Sequence, residues 1–132
     1  MTIEEDYIYN RNGEAEYRVL PRGIISDYMG NCVAYIRKTS FNTCIYDYNG
    51  NQIAWFEKGA LRDKEGYLVG FSDNNLTEKN YNMPMLPYKK LKSNRNVFDK
   101  IEPNRKIAQP CQIRPMPKNI WSKKSLKEIL EG

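Results

Sequence analysis

Three aspartates occupy the same place in a recurring pattern: Asp27, Asp47 and Asp63 each stand three residues before a glycine. Carboxylates that converged in this way could hold a hard cation such as calcium. The same D-x-x-G spacing also builds a hairpin tip, because Asp at the first turn position accepts backbone N–H groups two or three residues on. The turn explains all three residues, and no metal is assigned. The chain of 132 residues has 10 Tyr, 3 Cys and no His. Without His there is no Ser-His or Cys-His nucleophile, no imidazole base and no imidazole metal ligand. Cys32, Cys44 and Cys111 are odd in number and lack C-x-x-C spacing. They read as free thiols of a reducing cytoplasm rather than a disulfide framework or a zinc site. No P-loop or G-x-G-x-x-G cradle is present. No catalytic residue and no cofactor is assigned.

The charge is unevenly placed. Residues 1–73 hold 8 Lys+Arg against 11 Asp+Glu, net −3, and residues 74–132 hold 13 against 5, net +8. Six of the seven prolines lie in the second part. Lys89, Lys90, Lys92 and Arg95, with Tyr81 and Tyr88 nearby, are the candidate anion-binding residues. Lysines neutralise phosphates and tyrosines stack on bases, so nucleic acid is a candidate ligand of this tail. The alternative is a solvated basic face.

The elements that would position these groups are legible as a repeat. IYNRNG, ISDYMG, IYDYNG and LRDKEG end at Gly13, Gly30, Gly50 and Gly66. Ile8, Ile25, Ile45 or Leu61 stands five residues before the glycine, and Asn10, Asp27, Asp47 or Asp63 three before it. Downstream follows an apolar–small–aromatic triplet: Val33-Ala34-Tyr35, Ile53-Ala54-Trp55 and Val69-Gly70-Phe71. The first copy, Ala15-Glu16-Tyr17, fits only if one residue has been lost. Each segment reads as a β-hairpin whose glycine takes φ > 0. Alternation places the apolar and aromatic residues on one buried face and turns the small residue to the other. Tyr17, Tyr35, Trp55 and Phe71 are then equivalent core residues. Gly13 and Gly50 are 37 residues apart and Gly30 and Gly66 are 36, so two hairpins make a duplicated unit. One hairpin is marginal in water, and four must pool their apolar faces.

This I-Y-D-x-x-G-x-x-[VI]-A-[YW] pattern resembles the small bacterial proteins called 4-fold beta flower proteins, over about residues 7–72. The resemblance implies an all-β fold of four consecutive β-hairpins in a pseudo-fourfold, flower-like arrangement. It implies no activity and no functional residues. The proline- and basic-rich run from Pro110 to Pro117 and the following Trp121-Ser122 also fit the family. Two regions are expected: a four-hairpin domain at 1–73, and an extended C-terminal tail at 74–132 that packs on the flower or on a partner. Sparse apolar residues, among them Ile101, Ile107 and Ile113, read as anchors of the tail. A short terminal helix is expected at about 122–131, with Ser122 or the Ser125 capping box at its start and Trp121 as tail anchor.

A non-enzymatic protein-interaction or assembly module is the leading expectation, with a protein partner or self-association. Polyanion binding through the tail is the alternative, and a small hydrolase or toxin-like effector is the second. No run approaches the roughly 18–20 apolar residues of a membrane span, so no membrane partner is expected and the location reads as cytoplasmic.

Overall fold

The fold, taken from a computed structural model, describes residues 6–39, 42–57, 59–72, 100–113 and 115–132. Eight antiparallel strands follow one another: β1 Asp6–Tyr9, β2 Ala15–Leu20, β3 Ile24–Ser26, β4 Cys32–Lys38, β5 Thr43–Tyr46, β6 Gln52–Glu57, β7 Ala60–Arg62 and β8 Leu68–Phe71. Each pairs with the next, and Tyr9 of β1 pairs with Phe71 of β8, which closes the barrel. Among the described residues the fold is all-β, with a short α-helix, α1 Leu126–Glu131, near the C-terminus.

The hairpin tips have a chemical cause. Asp47 Oδ1 accepts the N–H groups of Asn49 and Asn51, both at 2.9 Å. Asp27 does the same for Met29 and Asn31, Asp63 for Glu65 and Tyr67, and Asn10 for Asn12 and Glu14. The glycine that ends each tip has positive φ, +88° at Gly50 and +92° at Gly66. These four side chains are therefore consumed by their own turns.

Tyr35, Trp55 and Phe71 are buried as expected, at 3, 5 and 0% exposed, but on the other face of the strands from the barrel interior. Ile25 pairs with Ala34, Ile45 with Ala54 and Leu61 with Gly70 across each hairpin, and this Ile–small face is the barrel interior. The cause is a bulge in every hairpin, which leaves Val33, Ile53 or Val69 as the extra residue. One extra residue resets the alternation. The apolar member of the triplet thus joins the small one inside, and the aromatic member turns outward. Tyr35 stacks on Tyr46 at 5.7 Å and Phe71 on Tyr9 at 5.4 Å, across adjacent hairpins.

The first hairpin has lost no residue. Ile8 pairs with Tyr17 as Ile25 pairs with Ala34, and Glu16 is the bulged residue. Tyr17 therefore fills a small-residue position and is not the equivalent of Tyr35, Trp55 and Phe71. Its hydroxyl donates to Glu131 at the end of α1. Burial first, and then that hydrogen bond, push the phenol well above its ordinary value.

Helix α1 begins later than the expected residue 122. Ser125 is its N-cap: Ser125 Oγ accepts the Glu128 N–H at 3.1 Å, while the Ser125 N–H donates to Glu128 Oε1 at 3.4 Å. Leu126 and Leu130 enter the core with Ile8, Ile25, Ile45 and Leu61. Gly70 gives them room, because a Cβ there would stand 3.2 Å from Leu126 Cδ1.

The described tail is a belt around the hairpin tips. The N–H groups of Lys100, Gln109 and Lys118 donate to the carbonyls of Gly30, Gly50 and Gly66 at 3.0, 2.8 and 3.0 Å. The spacing is nine residues per hairpin. The belt lies on the outer aromatic face: Arg105 sits 4.2 Å from the Tyr35 ring centroid, Trp55 Nε1 donates to the Gln112 carbonyl at 3.0 Å, and the Tyr46 hydroxyl donates to the Gln109 carbonyl at 2.7 Å. The belt departs from two expectations. Cys44 and Cys111 form a disulfide, with Cα atoms 6.3 Å apart, that ties β5 to the belt. Sequence separation hid this pair, which the barrel brings together. Cys32 keeps a thiol, which faces the Lys100 carbonyl at 3.6 Å. Ile101, Ile107 and Ile113 are not anchors but are 96, 97 and 87% exposed. Backbone hydrogen bonds, Ala108 and Cys111 hold the belt in their place.

Candidate functional site

The belt ends in a cleft beside the fourth hairpin. The Leu68 N–H donates to the Ile120 carbonyl at 3.0 Å and the Ser122 N–H to the Leu68 carbonyl at 2.7 Å, a parallel bridge that fixes Trp121 between them. Trp121 meets Phe71 edge-on at 6.4 Å and is half-buried. Ser122 Oγ accepts the Lys124 N–H at 3.2 Å and so turns the chain toward α1. Behind the bridge, the buried Arg62 guanidinium donates through Nη1 to the carbonyls of Gly66 and Lys118, at 2.9 and 2.7 Å. Hairpin tip and belt are thus bolted together, and Lys118 Nζ rests 4.3 Å from the Tyr67 ring centroid.

The cleft so framed measures about 660 Å³. Ile53, Ile129, Trp121 and Tyr67 give it an apolar lining, and Lys64, Lys123 and Lys124 stand around it. Two of its carboxylates are engaged locally. Asp63 accepts the N–H groups of Glu65 and Tyr67, and Glu128 closes the capping box. Glu65 lines the cleft as well. Among the described residues, no ion pair joins Lys64, Lys123 or Lys124 to a carboxylate. Three lysines and three carboxylates thus border an apolar floor, and with Asp63 and Glu128 engaged locally the lysines can meet a ligand that has an anionic group beside an aliphatic or aromatic one.

A second polar cluster pins the belt further along. The Tyr48 hydroxyl donates to Glu102 Oε2 at 2.7 Å, and Arg105 Nε donates to the same oxygen at 3.0 Å. Burial alone would raise the Glu102 carboxyl, but these two hydrogen bonds and the Arg105 and Arg22 charges hold it below its ordinary value. Tyr48 is shifted upward, by burial first and then by Glu102.

The candidate residues fall in three places. Asn10, Asp27, Asp47 and Asp63 sit in their turns with Gly13, Gly30, Gly50 and Gly66. Trp121 lines the cleft. Lys89, Lys90, Lys92 and Arg95 lie outside the described residues. Among the described residues, no group of three His, Cys, Asp or Glu side chains is placed to hold a metal ion. Sequence reasoning missed Lys64, Tyr67, Lys123 and Lys124. The signal for the last two was their position directly after Trp121-Ser122, at the mouth of the helix.

The family model of the 4-fold beta flower proteins matches residues 6–130, nearly the whole chain. The chain belongs to the 4-fold beta flower protein family. The match takes in the belt and α1 as well as the four hairpins of this beta flower. No curated protein and no solved structure matches it.

Proposed function

We propose that this beta flower is a non-enzymatic interaction module whose cleft captures an acidic segment of a partner protein, one that carries an aliphatic or aromatic side chain. The observation that supports this reading is a set of three lysines around a floor of Ile53, Ile129, Trp121 and Tyr67, where two of the three lining carboxylates, Asp63 and Glu128, are already engaged by backbone N–H groups. Lys64, Lys123 and Lys124 make no ion pair among the described residues. The bridge at Leu68 and the Arg62 hydrogen bonds hold the walls in place before a ligand arrives, which lowers the ordering cost of binding. The Cys44–Cys111 disulfide favours a working place where disulfides persist over the cytoplasm expected from the sequence. No helix among the described residues is long and apolar enough to cross a membrane.

Selection from a random peptide display library on the immobilised protein tests the reading. Enriched peptides are expected to carry Asp or Glu beside Leu, Ile, Phe or Trp, and to lose binding at least about tenfold to the Lys123→Glu/Lys124→Glu variant, whose altered side chains are exposed in the fold. Enrichment of basic or purely polar peptides, or unchanged binding to the variant, would reject the cleft as the site.

A further inference from the structure

The outward side of the belt has a different character from the cleft. Ile101 and Ile107 are 96 and 97% exposed, Ile113 is 87% exposed and Met116 is 82% exposed. Each isoleucine has a basic neighbour in the sequence: Lys100-Ile101, Lys106-Ile107 and Ile113-Arg114. Residues 100–124 contain seven Lys+Arg and a single acid, Glu102. That acid is turned inward, its side chain 14% exposed, and is consumed by Tyr48 and Arg105. The surface offered to solvent is therefore apolar and cationic together.

Its placement follows from topology. The barrel is an up-and-down chain of consecutive antiparallel strands, so all four hairpin tips lie at one end. The belt is hydrogen-bonded to three of those tips and so forms part of a rim at that end. Ile101, Ile107 and Ile113 stand six residues apart. Single aliphatic side chains so spaced would each need a separate pocket on a protein partner. A bilayer surface accepts them wherever they fall. The excess of positive charge opposes docking against a second copy and favours anionic headgroups.

We propose that this rim is a lipid-contact surface: Ile101, Ile107 and Ile113 seat at the headgroup boundary of an anionic bilayer, with the exposed Lys100 and Lys106 on the headgroups. The contact is peripheral and needs no membrane span. It does not depend on the reading of the cleft.

Co-sedimentation of the full chain with vesicles tests it. The vesicles contain phosphatidylcholine alone, or phosphatidylcholine with about 30 mol % phosphatidylserine, at about 100 mM salt. The protein is expected to pellet with the anionic vesicles and not with the neutral ones. The Ile101→Ser/Ile107→Ser/Ile113→Ser variant is expected to keep the melting temperature, because those side chains are exposed, and to lose anionic-vesicle binding about tenfold or more. Wild-type protein left in the supernatant would overturn the proposal, as would a variant that pellets like wild type. Binding to single-stranded DNA, or a dimer in light scattering, without vesicle binding would assign the rim to those partners instead and equally overturn it.

Discussion

The carbonyl of Gly50 accepts the backbone N–H of Gln109 at 2.8 Å, so the tip of the third hairpin is also a docking point for the belt. A Cβ on Gly50 would stand 2.2 Å from the Ile107 carbonyl oxygen. Gly66 repeats the arrangement one hairpin on: the Lys118 N–H donates to its carbonyl at 3.0 Å, and a Cβ there would stand 2.3 Å from the Met116 oxygen. The glycines thus serve turn and belt at once.

Gly50→Ala is expected to lower stability by about 2–4 kcal/mol, because it combines a left-handed φ with displacement of the belt. Urea unfolding gives the magnitude, and faster amide exchange at Gln109 identifies the belt as the part that moves. A melting temperature within about 2 °C of wild type would count against both roles of the glycine.

Arg62→Met should cost about 2 kcal/mol or more, since the carbonyls of Gly66 and Lys118 lose a charged donor that is 3% exposed. The effect should concentrate at the cleft. Amide exchange at Lys118 is expected to rise with the change in stability, and peptide affinity to fall. Wild-type affinity in a destabilised variant would separate the bolt from the site.

Glu102 gives the belt an acid limit. Its folded pKa lies below the ordinary 4.5. Its contribution is therefore present above 4.5 and is lost as the pH falls from there through the lowered folded value. Glu102→Gln should be less stable than wild type near neutral pH, and the gap should narrow as the pH falls below 4.5 and through the lowered folded value. Thermal melts of the two proteins across that range check the sign. A gap that stays constant to the acid end would mean that Glu102 is not coupled to folding.

The disulfide closes a separation of 67 residues, so Cys111→Ser is expected to cost up to about 4 kcal/mol by constraint of the unfolded chain alone. Addition of a dithiol reductant should lower the wild-type melting temperature to that of the variant. A melting temperature indifferent to reductant would show the two cysteines unlinked in solution.

Much of the barrel was legible because its repeat is written in side chains. Asp47 and Gly50 announce a turn by what an Asp carboxylate and a positive φ require. The facing of the triplets was not legible, because alternation assumes an unbroken ladder and the bulges at Val33, Ile53 and Val69 shift it by one. The belt's nine-residue period was hidden for a different reason. Its donors are backbone N–H groups, so Lys100, Gln109 and Lys118 need share no side-chain chemistry. The Cys44–Cys111 pair, and the meeting of Lys64 with Lys123 and Lys124, depend on how far the belt travels round the barrel, which composition does not encode.

The belt is part of the fold and builds the cleft. Residue-resolved amide hydrogen exchange on the intact protein checks this. The N–H groups of Lys100, Gln109, Lys118 and Ser122, all bonded to hairpin carbonyls, are expected to exchange at least about a thousandfold more slowly than in an unstructured chain. Exchange of these four at unstructured rates, alongside protected strands, would show a barrel without a belt.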